Sequence, residues 1–94
     1  MFVTIVQAEV AAEREADLRA GWEQLGAGLT PQGLVESSLL RADNGLWQVV
    51  TVWESREAVT AARSRGERPA ALELFQNVDA RPLVSLWNVE GHIR

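Results

Sequence analysis

The segment 45–55, Gly-Leu-Trp-Gln-Val-Val-Thr-Val-Trp-Glu-Ser, limits the fold more than any other in the chain. Successive side chains of a β-strand point to opposite faces. Here Trp47, Val49, Thr51 and Trp53 share one face, and Leu46, Gln48, Val50 and Val52 share the other. A strand with one wet face needs apolar residues only at every second position. This one is apolar on both sides, so both faces need cover. The preceding Asn44-Gly45 is a strong hairpin signal, because both central residues of a type I′ turn take positive φ. The strand is therefore expected to run antiparallel to a partner at residues 33–42.

The rest of the chain supplies what such a strand needs. Residues 2–10 alternate as a first strand, with Val3, Ile5 and Gln7 on one face and Phe2, Thr4, Val6, Ala8 and Val10 on the other. Over 12–27 the period changes. Leu18, Trp22 and Leu25 fall on one helical stripe, and the acids gather in the first half, as the helix dipole favours. Gly26 and Gly28 suit a helix end, and Thr30-Pro31-Gln32-Gly33 reads as a loop. Ser55 is a suitable N-cap for a helix presenting Ala58, Val59 and Ala62 and stopped by Gly66. Pro69 opens another short helix, with Leu72 and Phe75 as its buried face. Arg81-Pro82 breaks the pattern, residues 83–90 form the last strand, and 91–94 are a tail.

The order β-α-β-β-α-β predicts an α+β, ferredoxin-like fold. It has one antiparallel sheet, with its helices on one side, and a single domain over 1–94. The helices cover one sheet face only. The other still carries Leu46, Val50 and Val52 together with one of the two apolar faces of residues 2–10, and an open apolar face of that size is unusual on a soluble monomer. A homodimer packed sheet to sheet is the economical solution.

Composition narrows function mainly by exclusion. The chain has no cysteine, which removes disulfides, thiol nucleophiles and Cys-based metal sites and permits a reducing compartment. Its single histidine, His92, stands almost at the end, a poor place for a metal site or a Ser-His-Asp triad. Net charge is −4, and all nine basic residues are scattered arginines, which disfavours nucleic acid as a partner. The apolar runs fall far short of the ~20 residues of a membrane span. The N-terminus enters a strand with no basic region before it, unlike a signal peptide, so a cytoplasmic location is expected.

The run Val52-Trp53-Glu54-Ser55-Arg56-Glu57-Ala58 at the start of the second helix, the Pro31-Gln32-Gly33 loop and Phe75 closing the helical segment resemble the antibiotic biosynthesis monooxygenase family over essentially the whole chain. The resemblance implies a dimeric α+β barrel. It also implies one of two chemistries. Some members oxidise anthrones or quinols with molecular oxygen and no bound cofactor, in a pocket between sheet and helices where an aromatic residue at the Trp53 position packs. Others bind and degrade haem, using a first-strand asparagine, a helix tryptophan and a histidine. The asparagine position falls at Gln7, the tryptophan near Ala62 and the histidine near Leu72. Haem ligation of that kind is therefore not expected, and no cofactor or metal is assigned. Two polar positions of the anthrone oxidisers fall near Val49 and Val59.

The expected substrate-binding residues are Gln7, Trp22, Thr51, Trp53 and Phe75. Gln7 and Thr51 are the lone polar side chains on their strand faces, and both are expected on the face of Trp53. A buried amide or hydroxyl needs a partner, which is a ligand or each other or the backbone. Trp22 should point at the sheet, as core or pocket. Trp47, at the hairpin end, is expected to pack at an edge or a dimer contact. Glu13, Glu15 and Asp17 read as a dipole-favoured helix face, and Arg63 and Arg65 as solvated or at a pocket mouth. No catalytic residue is nominated. The reading is a cofactor-independent monooxygenase of an aromatic, polyketide or quinol-like small molecule. The alternative is a non-catalytic, dimeric small-molecule-binding or accessory protein.

Overall fold

The computed structural model describes residues 1–26, 31–64 and 70–93. Strand β1 (Phe2–Glu9) leads through a 3₁₀ turn (Ala12–Arg14) into α1 (Glu15–Gly26). Strands β2 (Leu34–Arg41) and β3 (Leu46–Trp53) form the central hairpin. Two short helices, α2 (Arg56–Ser64) and α3 (Ala70–Gln76), precede β4 (Leu83–Asn88). The order in the sheet is β2-β3-β1-β4, and every pair is antiparallel. This is the expected ferredoxin-like arrangement. Gly28, Thr30, Arg65, Gly66 and Pro69 lie outside the described residues.

Burial follows the strand period. Val6, Ala8 and Val10 of the first strand segment and Trp47 and Val49 of β3 meet Leu18 of α1, Leu74 and Phe75 of α3, and Val78. Leu18 and Phe75 are fully enclosed. Leu25 does not join them: it ends α1 with 40% of its surface exposed. In α3 the buried pair is Leu74 and Phe75, with Leu72 only partly covered.

The opposite sheet face has no helix. Val3, Ile5, Val50 and Val52 are half-buried there, while Leu40, Leu83 and Trp87 are exposed. The two-faced apolar pattern of β3 thus leaves one face on the core and one open.

Local chemistry fixes the turns. Ser55 Oγ accepts the backbone N–H of Ala58 at 3.2 Å and caps α2 as expected. The hairpin differs from expectation. Gly45 has φ of 83°, but among the described non-glycine residues only Asp79 takes positive φ, so Asn44 does not. A type I′ turn is therefore excluded. The loop has three residues, with the Gly45 N–H bonded to Ala42 O at 3.1 Å and the Ala42 N–H to Leu46 O at 2.8 Å. That is the turn-plus-bulge alternative, which needs the left-handed conformation only at the glycine. Asn44 contributes its side chain instead, accepting the Leu46 N–H at 3.2 Å. At the other end of the hairpin Gly33 has φ of 88° and lies so close to α2 that a Cβ there would stand 2.5 Å from Ala58 Cβ.

Candidate functional site

Along α1, Arg19, Trp22 and Glu23 are neighbours on one helical face. That face lies across the β2–β3 end of the sheet. Leu39 and Arg41 of β2 and Trp47 of β3 point towards it, as alternate residues of paired strands must. Together the six residues line a shallow, open cleft of about 380 Å³. Small-molecule sites occupy a few hundred Å³ or more and combine apolar walls with a few placed polar groups.

The floor of the cleft is Trp47. Its surface is 97% covered, since only 3% is exposed. Two guanidiniums lie against its ring. The Arg19 Cζ lies 5.1 Å from the ring centroid and the Arg41 Cζ 5.8 Å, both within cation–π range. The indole N–H of Trp47 donates to Glu15 Oε2 at 2.7 Å, and the same oxygen accepts from Arg41 Nε at 2.7 Å. One carboxylate on α1 thus ties the helix to β2 and β3 at once. The bond from Arg41, then the bond from Trp47, holds the Glu15 carboxyl below its ordinary pKa, against the opposing cost of desolvation. Arg41 is correspondingly raised, first by its bond to Glu15.

Trp47 is therefore a core residue and the cleft floor, which corrects its expected place at an edge or dimer contact. Glu15 is a structural ligand of both neighbours, beyond a dipole-favoured acid. The expected binding residues separate. Trp22 lines the cleft and packs against the core. Phe75 is fully buried in that core. Thr51 faces the helices, but its hydroxyl pairs with Ser37 Oγ at 2.9 Å. Trp53 is half-buried on the same face, and its indole N–H donates to Thr4 Oγ1 at 3.1 Å.

Gln7 is not with them. The β1–β3 register pairs Thr4 with Thr51 and Phe2 with Trp53, whereas Gln7 pairs with Gln48. Gln7 consequently stands on the open face, where its Oε1 accepts from Gln48 Nε2 at 2.9 Å. The reason lies in the pairing: side chains opposite one another in antiparallel strands share a face. Gln7 and Thr51 thus bond neither to each other nor on one face. Among the described residues no buried side-chain polar atom lacks a partner.

A model of the antibiotic biosynthesis monooxygenase family matches residues 1–74. The chain belongs to the antibiotic biosynthesis monooxygenase family. Solved structures share its fold from end to end. One, from Deinococcus radiodurans and assigned to the antibiotic biosynthesis monooxygenases, is 15% identical and has a TM-score of 0.76, over 100% of this chain and 97% of that one. A variant of SnoaB, a cofactor-independent oxygenase from Streptomyces nogalater, is 15% identical with a TM-score of 0.74 over 98% and 95%. A variant of MhuD, solved with two manganese protoporphyrin IX molecules per active site, is 24% identical with a TM-score of 0.74 over 100% and 99%. Comparison with curated protein sequences gives no significant match.

The haem chemistry found in this fold can be tested against the donors present. The position read as the family's haem histidine is Leu72, which has no lone pair for iron, and that of its tryptophan is Ala62, which has no indole. His92 is exposed beyond β4. Among the described residues no three His, Cys, Asp or Glu side chains stand together as metal ligands. The donor set does not fit histidine-ligated haem. No helix of the described residues is long and apolar enough to cross a membrane.

Proposed function

We propose that this family member is a cofactor-independent monooxygenase of a flat aromatic or quinol-like small molecule, seated in the cleft beside Trp22. Family membership together with an indole-lined cleft between helix and sheet carries this reading. The reaction suited to it converts an activated ring CH₂ to a carbonyl. Molecular oxygen supplies one atom to the product and one to water, and the ionised substrate supplies the electrons. The protein contributes orientation, a dry surface and charge placement. In this reading Trp22 stacks on the substrate over Trp47, Phe75 backs the core beneath the cleft, and Thr51 and Trp53 lie further along the same sheet face. Gln7 belongs to the subunit contact.

The working unit we propose is a homodimer joined through the open sheet faces. The exposed Leu40, Leu83 and Trp87, beside the half-buried Val3, Ile5, Val50 and Val52, support it. The lack of cysteine suits a reducing, cytoplasmic compartment.

A second reading has a specific observation in its favour. The Thr51 hydroxyl, the Gln7 amide and the Trp53 indole N–H expected at the site are all bonded within the protein. That favours a dimeric binding or accessory protein without turnover. Oxygen uptake with the anthrone dithranol separates the two. The oxygenase reading expects consumption above the buffer rate, reduced in Trp22→Ala by about tenfold or more. No rate above buffer, with the compound bound, would leave the binding reading standing.

A further inference from the structure

We propose that the cleft contains an oxyanion subsite formed by Arg19 and Arg41, so that its ligands are flat aromatic molecules bearing one negatively charged oxygen group. The inference rests on the reading that this cleft is the ligand site, and adds the charge of what enters it.

Both guanidiniums lie within cation–π distance of one buried indole, the Arg19 Cζ at 5.1 Å and the Arg41 Cζ at 5.8 Å, and both side chains are on the exposed rim of the cleft. Arg41 uses Nε on Glu15, and its two terminal nitrogens have no partner among the described residues. Arg19 has no hydrogen bond or ion pair at all among the described residues. Two arginines therefore share one bonded carboxylate, and an exposed guanidinium is held over the cleft without a carboxylate of its own. Planar forks of this kind match carboxylate and enolate oxygens.

The remaining charge limits the ligand. Glu23 lies one turn along α1 from Arg19 and lines the same cleft, yet makes no ion pair among the described residues. Arg19 and Arg41 stand beside Glu15 and Glu23, Asp43 adds a further carboxylate acting on Arg41, and the whole chain carries −4. A multiply charged anion would meet Glu23 and the overall field. A single oxyanion on an apolar ring meets two guanidiniums at its head, and Trp22 and Leu39 along its body. The chemistry gains from this placement. A cation beside an enol or phenol oxygen favours the ionised form, releasing the proton to solvent. The ionised form is the one that gives electrons to oxygen.

The test titrates 2-naphthoate and its uncharged analogue 2-naphthamide into the protein, by calorimetry and by the NMR signals of the four indole N–H groups. The naphthoate is expected to bind more tightly than the amide by about tenfold, and to shift Trp22 and Trp47 but not Trp87. Arg19→Gln, which removes the ring contact with Trp47 but no hydrogen bond or ion pair among the described residues, should abolish that preference, whereas Glu23→Gln should strengthen naphthoate binding. Equal affinity for the two probes, or a preference that survives Arg19→Gln, overturns the subsite. Parallel oxygen-uptake assays with dithranol keep the two readings apart. Naphthoate preference without oxygen uptake supports the subsite and sinks the oxygenase. Oxygen uptake without any naphthoate preference does the reverse.

Discussion

At the scale of single residues, Glu15 shows why a helix-terminal acid can be misread. Its position in the first turn of α1 is sufficiently explained by the dipole. Its partners Arg41 and Trp47 are 26 and 32 residues away, and no local pattern announces them. The structure gives it a pH signature. Its pKa is lowered on folding, so its contribution is full above the ordinary value of 4.5 and is lost as pH falls through the folded value. Urea denaturation should therefore find Glu15→Gln less stable than the parent at pH 7, with the difference shrinking as the pH is taken down through the acidic range below that value. A difference independent of pH would remove the ion pair from the account. Two further residues have local physics of their own. Gly33→Ala meets both a positive φ and the Ala58 methyl, and should cost about 2 kcal/mol in chemical denaturation. Phe75→Ala empties the centre of the core and should cost about 3–5 kcal/mol.

At the scale of elements, sequence reading recovered the order, the hairpin and the helix cap, because each rests on contacts within a few residues. It also recovered which residues of β3 share a face, since the period of two is rigid. What it lacked was the pairing between strands. The placement of Gln7 beside Trp53 failed because the face of β1 that meets the helices is decided by register with β3. The residues held a hint: Glu9 has the parity of Gln7, and Glu9 is exposed. Trp47 failed for a related reason. A tryptophan next to a turn looks peripheral until α1 is known to cross that end of the sheet. The turn itself was placed correctly but typed wrongly, because a third loop residue lets Asn44 avoid positive φ. Gly45→Ala should accordingly cost about 1–2 kcal/mol in thermal or chemical denaturation, while Asn44→Ala costs less. A type I′ turn would make both costly.

At the scale of the whole molecule, the open sheet face is the surface proposed for the subunit contact. If it is the subunit contact, sedimentation at micromolar concentration should give twice 10.4 kDa. Val50→Glu, at the centre of that face, should return the particle to 10.4 kDa with its α-helical signal intact. A monomeric parent would mean that the face is covered in some other way. The family and the fold were readable from the chain because they are spread over its whole length. The cleft was not, because it is built from three elements and from two arginines that only the fold brings onto one ring.

The alternation of β3 has one further consequence. Its odd-numbered residues, from Trp47 to Trp53, face the helices on the side of the cleft, and its even-numbered ones, from Leu46 to Val52, the open face. With the proposed ligand site and subunit contact, ligand choice and choice of mate are written on one eight-residue strand as two interleaved messages. Either can be rewritten by point substitution without editing the other. A duplicated copy altered only at even positions would stop recognising its parent while keeping the same appetite for ligands. A single-residue insertion within the strand, by contrast, would exchange the two messages from that point onward.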